Sequence, residues 1–279
     1  MDFFDLHCDT AYKMYTENKG FYKNDLAVSG KKGECFENWV QTFAVWLPEN
    51  LEKPYEFYKN VISHLKENLT DNVKLVFAVE GGTVLEDNAE RLYELKNDGI
   101  SFLTLTWNGA NLIAGGSKSQ KGLTDFGKQV IKTMNKLSIA VDVSHLNDKS
   151  FYSVLDTAEK VLATHSNCRK VCDVPRNLKD DQIKLIAKKQ GIIGLNFYPE
   201  FLGGDFVEKI YQNIYHLCDM GLENNIAIGT DFDGADMDEE MKDISKIPSL
   251  YEKLHQKGLK KDLLYKIFFK NANDFLSNL

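Results

Sequence analysis

Eight short apolar runs alternate with amphipathic stretches along this chain, and that alternation constrains the fold more than any other feature. The runs cover residues 3–8, 42–47, 74–79, 102–106, 139–144, 161–164, 192–197 and 226–229. Between them apolar residues recur at helical spacing: Tyr58, Val61, Ile62, Leu65 and Leu69; Leu85, Ala89, Leu92 and Tyr93; Phe126, Val130, Met134 and Leu137; Ile183, Ile186 and Ala187. Glycines at Gly99, Gly191 and Gly221 fall where helices should stop. The helix opening at Asp180-Asp181 and ending at Lys188-Lys189 has its charges matched to the helix dipole. Strands alternating with helices make a parallel sheet, and eight such units predict an α/β fold of the (β/α)8, TIM-like barrel type. An open doubly wound sheet would want a glycine-rich phosphate turn after the first strand, and His7-Cys8-Asp9-Thr10 is not one. No repeat or linker interrupts the 279 residues, so residues 1–279 read as one domain, with 10–40 a long first loop.

The formal net charge of −7 and scattered lysines exclude a nucleic-acid partner. No run approaches the 18 or so apolar residues of a membrane span. Met1 is followed almost at once by chemistry-bearing residues, so no signal peptide is expected. The five cysteines, an odd number in a long chain, read as reduced thiols in the cytoplasm. Cys168 and Cys172 lack metal-binding spacing.

The chemistry gathers where the apolar runs end. His7 and Asp9 stand two apart, on one face if both lie on a strand, so an imidazole and a carboxylate can grip one ion. His145 and His165 each close a run, where active sites of such barrels lie. One such histidine is commonly structural; three in company with Glu80 make a metal-ligand set. Glu80 ends a strand before Gly81-Gly82, which leave room for close approach, and its two oxygens can bridge two ions. A helix-capping acid is the plainer alternative. Asp231 follows the eighth run and suits general acid–base work, while Asp233-Gly234 reads as a turn. Arg176, in a loop opened by Pro175, suits bidentate capture of a carboxylate.

Taken together these segments resemble the membrane dipeptidase (renal dipeptidase) family of zinc peptidases. The resemblance rests on Asp5-Leu6-His7-Cys8-Asp9, Val79-Glu80-Gly81-Gly82, Leu103-Thr104-Leu105-Thr106-Trp107-Asn108, and residues 122–127 and 141–145. It continues through His165-Ser166, Arg176-Asn177-Leu178, Asn196-Phe197-Tyr198 and Asp231-Phe232-Asp233-Gly234. It implies a barrel of the metal-dependent hydrolase type holding two divalent ions, Zn2+ first among candidates. His7, Asp9 and a bridging Glu80 would hold one ion; Glu80, His145 and His165 the other. Arg176 would bind the substrate's terminal carboxylate, Asp231 would move protons, and Tyr198 would line the pocket. Trp107 stands where members commonly carry histidine, at a position that would face the substrate. The implied activity is hydrolysis of small dipeptides, L,D forms included, by a metal-bridged hydroxide. The alternative is an N-acyl amino acid deacylase or lactonase-like hydrolase, which the apolar Trp107 would favour. A homodimer follows from family analogy only.

Overall fold

The computed structural model describes residues 1–279. Eight strands form one parallel sheet: β1 (Phe3–Cys8), β2 (Trp39–Trp46), β3 (Lys74–Glu80), β4 (Ile100–Thr104), β5 (Ala140–Asp142), β6 (Val161–Leu162), β7 (Ile193–Leu195) and β8 (Ile226–Ile228). Their order is β6-β5-β4-β3-β2-β1-β8-β7. A parallel bridge from Ala163 to Ile193 brings the two outer strands together, so the expected (β/α)8 barrel is nearly closed. Helices α1 (Thr10–Thr16), α2 (Pro54–Asn68), α3 (Arg91–Asn97), α4 (Asp125–Leu137), α5 (Asp148–Thr157) and α6 (Asp180–Lys188) follow the first six strands in turn. After β7 come α7 (Pro199–Leu202) and α8 (Phe206–Asp219), and after β8 come α9 (Ile247–Gln256), α10 (Lys261–Tyr265) and α11 (Asn271–Ser277). None is long and apolar enough to cross a membrane.

Side chains alternate faces along a strand, so every second residue points into the barrel. Phe4, Leu6, Val40, Ala44, Val76, Ala78, Phe102, Ala140, Leu162, Ile192 and Ala227 pack together there. Each large apolar side chain so buried contributes roughly 1.5–3 kcal/mol. Ala272 and Phe275 of α11 join this cluster from below and plug the N-terminal end. Asn271 fastens the plug, its amide donating to the carbonyls of Glu223 and Ile226 at 2.8 Å each. Two residues further along, the inward positions turn polar: Glu80, Thr104, Asp142 and Thr164 are all buried. The open end of the barrel is therefore its C-terminal mouth.

Two local expectations need correction. Asp9 is not on the first strand but at the N-terminus of α1, with φ −98° and ψ 16°. A one-residue slip of β1 against β2 between Asp5 and Cys8 re-aims the strand end instead, as β-bulges do. The apolar pattern from Leu85 to Tyr93 is not one helix. A 3-10 turn over Gly82–Leu85 ends at Glu86, whose φ is +51°, and Asn88 then accepts from the Glu90 amide at 3.0 Å before α3 starts. α6 does stop short of Gly191 as expected, with Gln190, at φ +57°, taking the left-handed backbone there. Gly191 is there for space: a Cβ would sit 2.3 Å from the Val161 carbonyl oxygen.

Candidate active site

Strand ends deliver the side chains to the mouth. His7 comes from β1, Glu80 from β3, and His145 and His165 from just past β5 and β6. His145 and Asp231 hold left-handed backbone at φ +68° and +66°, costly for residues with a Cβ and typical of functional positions. Gly81, at φ +110°, and Gly82, whose Cβ would meet the Leu105 carbonyl at 2.5 Å, provide the close approach expected after Glu80.

The donors converge tightly. His145 Nε2 lies 2.7 Å from Glu80 Oε1, and His165 Nε2 lies 3.5 Å from the same oxygen. His145 Nε2 and His165 Nε2 are only 2.9 Å apart. His7 Nε2 is 3.5 Å from Glu80 Oε2 and 3.6 Å from Asp9 Oδ2. Ligand atoms of His7, Glu80 and His165 fall within 4.8 Å of one another, as do those of His7, Asp9 and Asp231. The geometry thus sets Asp231 beside the His7 and Asp9 donors.

Hydrogen bonding assigns the tautomers. Asn108 Oδ1 accepts from Ser117 Oγ at 3.0 Å and from His145 Nδ1 at 3.1 Å. Thr164 Oγ1 donates to Asp142 Oδ2 at 2.6 Å, so it accepts from His165 Nδ1 at 2.7 Å. Both Nε2 atoms then present lone pairs to each other and to Glu80 Oε1. Burial, helped by the Arg176 charge, lowers His145 to about 4, and burial beside the His7 charge holds His165 well below the usual range. No proton therefore relieves the crowding. Three acceptors facing one another at these distances fit a cation. His7 Nε2, Asp9 Oδ1 and Glu80 Oε1 are moreover buried without any hydrogen-bond partner.

The acids feel the same crowding. Burial raises Asp9 to about 7, with Glu80's charge adding to it. Burial also opposes the ionised Glu80, but its close neighbours His145 and His7 outweigh it and hold the carboxyl well below its usual value. His7 loses to burial and gains more from Glu80 and Asp9, so it is drawn to carry a positive charge at the centre of the cluster. Burial raises Asp231, whose Oδ2 accepts from Asn196 Nδ2 at 2.9 Å.

Around these donors opens a cavity of about 770 Å³, lined by Glu80, His145, Trp107, Arg176, Tyr198 and Asp231 among others. Arg176 is buried, with its guanidinium 5.1 Å over the Phe201 ring. Its one protein hydrogen bond is from Nη2 to the His165 carbonyl at 3.3 Å, and it has no ion pair. Every site residue singled out from the sequence lies at this mouth. Asp233, read as a turn residue, has φ +66° and ties the long first loop down. It accepts from Thr10 Oγ1 at 2.5 Å and from the Ala27 amide at 2.9 Å.

Sequence reasoning missed the residues beneath. Asp142 accepts from Thr104 Oγ1 at 2.6 Å and from the amides of Ser144 and Thr164, and through Thr164 it sets His165. Asn108 and Asn196 do the same for His145 and Asp231. All three stand inside quoted motifs, beside residues that did receive roles. Asp5 is a further buried acid, raised to about 6 by burial and satisfied by Gln41 and Thr230.

Fold and donor set define a hydrolase barrel whose His, Glu and Asp groups can hold metal. The sequence model of the family described as Membrane dipeptidase (Peptidase family M19) matches residues 43–276, and the chain belongs to that family. His7 on β1 and Asp9 at the start of α1 both precede the matched segment. An uncharacterized protein of the pqqA 5′ region of Klebsiella pneumoniae is 31% identical over 221 residues, 74% of this chain and 82% of that one. An uncharacterized dipeptidase of Schizosaccharomyces pombe is 29% identical over 202 residues, and this chain spans only 49% of its length. Among solved structures, dipeptidase AC, a metallopeptidase of the same family, superposes with a TM-score of 0.89 at 22% identity, covering 99% of this chain and 98% of that one. A Rhodobacter sphaeroides metallopeptidase bound to a phosphinate mimic of L-Ala-D-Ala gives 0.85 at 22% identity, covering 99% of each. At that identity the likeness is one of fold.

Proposed function

We propose that this protein is a zinc-dependent dipeptidase acting through a single barrel domain over residues 1–279. The observation that carries the reading is that a buried arginine without an ion pair shares one cavity with a cluster of acceptor atoms that call for a cation. His7, Asp9 and Glu80 would hold one ion, and Glu80, His145 and His165 a second, with Asp231 close to the first group. A divalent ion bound there polarises a carbonyl and makes water acidic enough to attack at neutral pH. The residues supply the rest. Arg176 pairs with the substrate's terminal carboxylate, which fixes chain length because only a dipeptide sets its scissile bond over the donors. Asp231, oriented by Asn196 and raised by burial, takes the proton of the attacking water and gives it to the leaving amine. Tyr198 and Phe201, 4.9 Å apart edge to face, wall the carboxylate end.

Trp107 sustains a second reading. It lines the cavity in place of a hydrogen-bonding histidine, so an acyl group could occupy the same wall in an N-acyl amino acid. Both readings are tested by zinc-reconstituted protein on L,L and L,D dipeptides, their C-terminal amides and N-acyl amino acids. The dipeptidase reading expects free dipeptides to be cleaved best and amides poorly. Arg176→Ala should cost on the order of 2–5 kcal/mol, more than tenfold, on the free acids only. Equal rates on acids and amides would overturn the carboxylate assignment, and faster cleavage of N-acyl amino acids would favour the second reading.

A further inference from the structure

From the mouth's layout we infer that Tyr12, Trp46 and Trp107 form the subsite for the substrate's N-terminal side chain, and that it takes a large apolar or aromatic residue. This rests on the dipeptidase reading. The three rings form a continuous wall of the cavity: Tyr12 meets Trp46 edge to face at 4.9 Å, and Trp46 meets Trp107 at 5.4 Å. Trp107 in turn lies 6.2 Å from His145, so the wall begins beside the donor cluster. Its pieces come from α1, the end of β2 and the loop after β4. Arg176 follows β6 and Phe201 follows β7, and strand order puts those elements across the barrel from β2 and β3. A dipeptide anchored by its carboxylate on Arg176 and crossing the donors therefore lays its N-terminal residue against the rings.

The charges beside the wall sharpen the choice. Lys13 follows Tyr12 on α1 and the Lys118 amide donates to the Asn108 carbonyl, whereas Glu200, Asp231, Asp233 and Asp236 of the same cavity come from beyond β7 and β8, so a cationic N-terminal side chain meets like charge beside the wall. Lys13 is 3.9 Å from Asp233 Oδ1, which leaves it only loosely paired. Offset and edge-on aromatic packing rewards a flat or branched apolar group more than a glycine hydrogen.

The test compares L-Phe-L-Ala, L-Leu-L-Ala, Gly-L-Ala and L-Lys-L-Ala with zinc-loaded wild type, Trp107→Ala and Tyr12→Ala. Wild type should favour Phe-Ala over Gly-Ala by about tenfold or more in kcat/KM, mainly through KM, with Lys-Ala poorest. Either variant should lose more on Phe-Ala than on Gly-Ala, shrinking that ratio to about threefold or less. A binding readout stands beside activity, because two of the chain's three tryptophans are in the wall. The phosphinate analogue of Phe-Ala should change tryptophan fluorescence at a concentration about tenfold below that needed of the Gly-Ala analogue. Dipeptide cleavage without N-terminal preference, or a preference that survives both substitutions, would overturn the subsite alone. Failure to cleave any dipeptide would overturn the functional reading and the subsite with it.

Discussion

At the N-terminal end of the barrel, Val76, Ala78 and Phe102 close on Ala272 and Phe275, with the Phe102 and Phe275 rings 6.3 Å apart. At the C-terminal end, two residues further along those strands, stand Glu80 and Thr104, and above them two imidazole nitrogens 2.9 Å apart. The lower end is a packed core in which every burial is favourable. The upper end buries Asp9, Glu80 and three histidines near one another and leaves several of their atoms unpartnered. Such groups cost free energy unless something pairs them. The barrel thus concentrates its stability below and its chemistry above, and each half should respond separately to substitution.

The largest effect is expected above. Asp231→Asn keeps shape and the hydrogen bond to Asn196 but cannot take a proton, so kcat should fall by about 10²–10⁴-fold with the fold intact. Steady-state kinetics with metal analysis on the same sample check it. Since Asp231 lies within 4.8 Å of His7 and Asp9 ligand atoms, metal loss in the mutant would show it to be a ligand first.

Below, Phe275→Ala should remove about 3 kcal/mol of unfolding free energy by opening a cavity at the plug, while leaving kcat/KM and metal content as they were. Denaturant unfolding and metal analysis decide it. A fall in activity of the folded mutant would break the separation between the ends, because it would mean that the plug sets the donors.

That same separation explains what could be read in advance. All eight strands were legible because their inward lower residues are apolar and give short runs between helices. The start of β2 was missed because Gln41, which donates to Asp5 Oδ2 at 2.8 Å, interrupts its run, so the strand seemed to begin after it. The ligand types were legible because acids and histidines at the ends of apolar runs stand out. Asp142 was not, since its role depends on β4, β5 and β6 being in register. Only the folded sheet brings Thr104 and Thr164 within 2.6 Å of one carboxylate oxygen. Asp9 looked like a strand residue because an alternating pattern does not reveal the register slip before it.

The smallest effect probes how closely the upper end is fitted. Gly234 adopts no left-handed backbone and is exposed, so an alanine there should not disturb the chain itself. Its Cβ, however, would stand 2.0 Å from Asp9 Oδ2 and 2.7 Å from Asp231 Oδ1, so both carboxylates must move. Supporting groups that orient metal ligands are typically worth about 10–100-fold in metal affinity. Gly234→Ala should therefore weaken metal binding about tenfold, or ~1.4 kcal/mol. Unfolding of the metal-free protein should stay within about 0.5 kcal/mol of wild type, as for other surface substitutions. Competition with a chelator of known affinity measures the first quantity and urea unfolding the second. Unchanged metal affinity would mean that Asp9 and Asp231 have room to shift, and that the crowding at this mouth is looser than its distances imply.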